Sequence, residues 1–127
     1  MANYLENRMA NNQPEGPGAA GLGVLPIPPK RYREFVQRYP GLARAWEAVN
    51  EAGADGPLDS RTRRLIKIAA SMGAMREGAV RSGVRKAIAE GITLAELEQL
   101  IPLTAGTIGL PSAVACWSWV LDALEQD

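Results

Sequence analysis

The side chains able to do chemistry in this sequence fall in two stretches. Arg61, Arg63, Arg64 and Lys67 set four positive charges within seven residues. Arg76, Glu77, Arg81, Arg85, Lys86 and Glu90 then charge the segment from Met75 to Gly91. A guanidinium can grip a carboxylate or phosphate through paired hydrogen bonds, and a carboxyl group can carry a proton. Histidine is absent from the chain. That removes the commonest general base, the usual partner of a serine or cysteine nucleophile, and the usual transition-metal ligand. Nothing in the residues calls for a cofactor or a metal. Cys116 is the only cysteine, so no intrachain disulfide or paired-thiol redox centre can form, and a buried inert thiol is expected. The basic run has no interleaved aromatics, so it reads as a solvated helix face or as interface ion pairs rather than a phosphate track.

The segment that must position the second group has helical periodicity. Ala79, Val80, Gly83, Val84, Ala87 and Ile88 recur as pairs every four residues and leave the charged residues on the remaining surface. Gly83 is the anomaly, because a mid-helix glycine on the buried stripe costs about 1 kcal/mol against alanine and packs nothing. The basic run belongs to a preceding helix capped by Asp59 and ending near Met72, with Leu65, Ile66, Ala69 and Ala70 expected inward. Gly91 is a helix stop, and Thr93-Leu-Ala-Glu96 is a capping box that starts the next helix at once. That helix turns Leu94, Leu97, Leu100 and Ile101 inward, is expected to kink at Pro102, and ends near Ile108. A last helix runs from Pro111 to about Glu125.

Upstream, Tyr32, Phe35 and Val36 are spaced for a short helix from Arg31 to Tyr39. Leu42, Ala45, Trp46 and Val49 are spaced for a second helix, which the turn cluster Gly53 to Pro57 closes. Residues 1–29 are rich in proline and glycine and read as an N-terminal arm, with a short helix from Asn3 to Met9 at its start. Leu22, Val24, Leu25 and Ile27 are too apolar for a solvated linker, so this part of the arm is expected to lie against the domain or a neighbouring subunit. The organisation is thus an arm, 1–29, and one all-α domain of about six helices, 30–127.

Basic and acidic residues balance at 14 each, which excludes a global field that would recruit nucleic acid or an anionic membrane. No residue from Gln99 to Leu121 is charged, yet prolines, glycines and hydroxyl residues divide that window into two short helices rather than a membrane span. Trp117, Trp119 and Val120 make the last helix apolar on more than one face, as expected where a second subunit covers it. The first nine residues lack a continuous apolar core and do not read as a secretory signal, so a cytoplasmic protein is expected.

Four pieces in order, Leu58-Asp-Ser-Arg-Thr-Arg-Arg-Leu-Ile-Lys-Ile-Ala69, Val84-Arg-Lys-Ala87, Gly91-Ile-Thr-Leu-Ala-Glu-Leu97 and Gly109-Leu-Pro111, resemble the carboxymuconolactone decarboxylase family. Alkylhydroperoxidase D belongs to the same superfamily. The resemblance covers about residues 58 to 124, leaving the arm and first two helices outside its distinctive part. It implies an alkylhydroperoxidase D-like helical fold, a homo-oligomer such as a trimer or hexamer, and an active site beside the helix from Met75 to Gly91.

In the peroxidase branch this helix carries Cys-x-x-Cys-x-x-x-His, with a glutamate one helix earlier. Anchored on Val84-Arg-Lys-Ala87, those positions fall on Arg76, Ala79, Gly83 and Arg64, which argues against thiol peroxidase activity. The decarboxylase branch resembles Arg-Glu-His-Glu-x-x-x-His followed by Val-Arg. Arg76-Glu77 matches its first two letters, whereas its histidines fall on Gly78 and Gly83 and its second glutamate on Ala79. Decarboxylation would need a cation for the carboxylate, a task left to Arg76, and a proton donor, for which Glu77 is the remaining candidate. The expectation is therefore a scaffold or interaction protein whose family chemistry has been lost. The alternative is binding of, or residual decarboxylase chemistry on, a small organic carboxylate or lactone in a pocket edged by Arg64, Arg76 and Gly83. Two glycines in place of imidazoles would either leave a space or let a facing helix approach.

Overall fold

The computed structural model describes residues 26–125, and all regular structure among them is helical. The six helices are α1 (Lys30–Arg38), α2 (Pro40–Ala54), α3 (Ser60–Gly73), α4 (Glu77–Ala89), α5 (Leu94–Ile108) and α6 (Leu110–Glu125). The helix expected from Asn3 to Met9 lies outside the described residues. The chain divides into two compact units between Pro57 and Leu58.

In the N-terminal unit, Pro40 opens α2 at a first-turn position, where its missing N–H costs nothing. The Tyr39 N–H donates to the Phe35 carbonyl at 2.9 Å and closes α1. Tyr32 and Val36 are half-buried as expected, while Phe35 is exposed and tilts against the Tyr39 ring, 5.1 Å between centroids. The buried side of α2 differs from the expected one. Ala43 and Asn50 are buried and Trp46 and Glu47 half-buried, whereas Leu42 and Val49 are exposed. The helix is apolar on two sides, and periodicity alone does not choose between them.

The second unit holds the continuous core. Ile68 and Met72 of α3, Val80, Val84 and Ala87 of α4, Leu97 and Leu100 of α5, and Cys116, Val120 and Ala123 of α6 are buried together with Ile92. α4 packs on both α3 and α6, and α5 packs on α6 and α3. Asp59 caps α3, its Oδ1 accepting from the Thr62 N–H at 2.7 Å. α4 ends in a Schellman turn: Gly91 sits at φ 92°, and the Ile92 N–H reaches the Ala87 carbonyl at 2.9 Å. Thr93 and Glu96 then close their capping box, with the Thr93 N–H donating to Glu96 Oε2 at 2.8 Å. α5 runs unbroken through Pro102. No helix among the described residues is long and apolar enough to cross a membrane.

The inward face of α3 also departs from the expected one. Arg64, Ile68 and Met72 form its buried stripe, while Ile66 and Ala70 are exposed. A charged residue joins the buried stripe because Glu90 meets it there. Lys86, expected on the surface of α4, is buried as well.

Candidate functional site

The site is built around α4, and α3 supplies its facing wall. Between them Gly83 is decisive. A β-carbon at Gly83 would lie 2.8 Å from Ile68 Cγ1, well inside contact distance. Of the two consequences open to a glycine here, the structure has the close approach of the facing helix. Gly78 is different, being exposed with nothing within 4 Å of a β-carbon position.

Arg64 lies one turn before Ile68 on the same stripe and is only 7% exposed. Its Nε donates to Glu90 Oε1 at 2.7 Å and its Nη2 to Glu90 Oε2 at 3.4 Å, a two-point grip on the carboxylate. Glu90 is the C-cap of α4, and Arg76 is the N-cap of the same helix. At 1.5 Å rise per residue those caps stand ~20 Å apart. Within one chain the structure therefore does not bring Arg64 and Arg76 to a common point.

Arg76 and Glu77 are exposed at the start of α4. The α3–α4 junction above them is another Schellman turn, in which the Arg76 N–H donates to the Ser71 carbonyl at 2.9 Å and the Met75 N–H to the Met72 carbonyl at 3.0 Å. Met75 takes the left-handed position, φ 55°, where glycine is the usual occupant. Glu77 Oε2 accepts from Arg81 Nε at 3.1 Å, and Arg81 Nη2 reaches Asp122 Oδ2 of α6 at 3.3 Å. The one guanidinium thus holds a carboxylate on each side.

Cys116 is fully buried, its thiol 3.8 Å from the Met72 carbonyl and 4.0 Å from Met75 Sδ. Burial pushes its pKa up, so the thiolate is disfavoured. On the exposed side of α3, Arg61 pairs with Glu96 of the capping box. Glu96 is held below its ordinary pKa of 4.5, first by the Thr93 N–H and then by Arg61. Arg61 and Arg64, which read alike in the sequence, thus serve an exposed cap and a buried pair.

Sequence reasoning missed Ile68 as the residue opposite Gly83 and Glu90 as the partner of Arg64. The four-residue spacing of Arg64, Ile68 and Met72 carries that signal, but an arginine at its head disguises it as a surface face.

The model of the carboxymuconolactone decarboxylase family matches residues 40–122. The chain belongs to that family. The match begins at Pro40 and so takes in α2, which the sequence resemblance left out. No curated protein matches the sequence.

Proposed function

We propose that the chain is a family member that has lost the family's chemistry and serves as a cytoplasmic homo-oligomeric scaffold or interaction protein. The observation that carries this reading is the closed packing at Gly83. At the position where the family's second histidine falls, Ile68 Cγ1 occupies the space a side chain would need. The surroundings support it. Arg64 is committed to Glu90, away from Arg76, and Glu77 is ion-paired to Arg81 rather than poised as a free proton donor.

The assembly half of the reading is supported by α6. Leu110, Val114 and Trp117 recur at helical spacing along one side and are 74%, 55% and 43% exposed. They lie in the stretch from Gln99 to Leu121 that contains no charge. An apolar stripe of this kind gains stability when a second subunit removes it from water. A trimer or hexamer is the assembly the resemblance implies.

The test is a thermal-shift screen of the full chain against lactones, muconates and hydroxybenzoates, paired with carbon dioxide release. The expected result is no shift and no release. A shift that Arg76→Ala abolishes would overturn the reading in favour of carboxylate binding. Release that Glu77→Gln abolishes would overturn it in favour of a working decarboxylase.

A further inference from the structure

A half-open groove runs between α1 and α2 of the N-terminal unit, with a mostly apolar lining. Pro28, Tyr32 and Val36 contribute at four-residue intervals from the α1 side, and Pro40, Ala43 and Arg44 contribute from α2. We propose that this groove receives residues 22–25 of a second copy of the chain, so that subunits exchange their N-terminal arms. The inference rests on the homo-oligomeric reading and names one of its contacts.

The chemistry of the arm fits the groove. Leu22-Gly-Val-Leu25 carries three aliphatic side chains and no charge. Burial of such side chains in an apolar groove is favourable by about 1.5–3 kcal/mol each when complete.

The lead-in to α1 argues for a second copy over the chain's own arm. For its own residues 22–25 to lie along α1, the chain would have to reverse direction between Leu25 and Lys30. Pro26, Pro28 and Pro29 occupy that interval. Ile27 and Pro28 each precede a proline and are held out of the helical region that most tight turns require. Pro29 is extended, at φ −54° and ψ 146°, the polyproline conformation. Ile27, next to a residue that lines the groove, is 75% exposed rather than folded into it. The described lead-in is thus extended at Pro29 and exposed at Ile27, which leaves the apolar string that precedes it in sequence for another groove to take.

The experiment is a mixed cross-link between full-length chains. One chain carries Val24→Cys and the other carries Gln37→Cys, an exposed groove residue whose replacement leaves the packing of α1 undisturbed. Cys116 is buried and stays out of the reaction. The two chains are co-expressed with tags of different size and mildly oxidised. The expected product is a disulfide-linked mixed dimer that disappears when Leu22→Asp and Leu25→Asp are added to the arm. An intrachain disulfide in the Val24→Cys/Gln37→Cys double variant, without linked dimer, would overturn the proposal in favour of the chain's own arm. Absence of both disulfides from a chain that light scattering finds oligomeric overturns arm exchange and leaves the assembly standing. A monomeric chain overturns both.

Discussion

At Gly83 a single hydrogen atom sets how closely α3 and α4 approach. Alanine there would raise helix propensity by about 1 kcal/mol. It would also drive a β-carbon into the middle of a β-branched, fully buried side chain, Ile68, which has no free end to swing aside. Overpacking of this kind costs about 1–3 kcal/mol, so Gly83→Ala is expected to lower the urea midpoint. In an Ile68→Ala background the same substitution should become neutral or stabilising. Equal cost in both backgrounds would mean that Ile68 is not what excludes the side chain. Met75 is the converse case, an L-residue held where glycine is comfortable. Met75→Gly removes left-handed strain of about 1–2 kcal/mol, partly offset by the greater freedom of glycine in the unfolded chain. A rise in melting temperature is expected, and a fall would show that packing of the thioether near Cys116 outweighs the strain.

At the scale of helices, local and tertiary signals part company. The caps were legible because they are local. Asp59, Gly91 and the Thr93–Glu96 box need only their own neighbours in sequence, and each stands where its pattern places it. The buried faces were less legible because they depend on what lies opposite. Arg64 turns inward to Glu90 26 residues away, and Ile66 turns out, neither of which periodicity within α3 reveals. The site suffered most, since Gly83 was readable as an oddity but its meaning lay in Ile68. The α5 cap also sets a pH response. Glu96 is held below its ordinary value of 4.5 by the Thr93 N–H and Arg61, so its contribution is fully present above that value and fades as pH falls through the lowered folded value. Melting temperature should therefore drop on acidification below that value, and Glu96→Gln should remove part of the slope. An identical acid slope in the variant would show that the cap carboxylate does not contribute.

At the scale of the whole molecule, the family match spans five of the six helices, and α4 packs against both α3 and α6 with Ile68 closing the approach at Gly83. Among the described residues of the second unit, Leu110, Val114 and Trp117 along α6 and Leu103 on α5 expose apolar surface that contact with another subunit would cover. A balanced charge of 14 basic and 14 acidic residues offers no general electrostatic attraction to compete with such contacts. The role proposed for this helical domain is to serve an assembly. The most direct measurement is the mass in solution by light scattering, for the full chain and for Val114→Asp, whose site is exposed and tolerates a polar residue without unfolding the core. A multiple of the 13.6 kDa chain mass is expected for the parent and a folded species of lower order for the variant. A parent that runs as a 13.6 kDa monomer at micromolar concentration would contradict it.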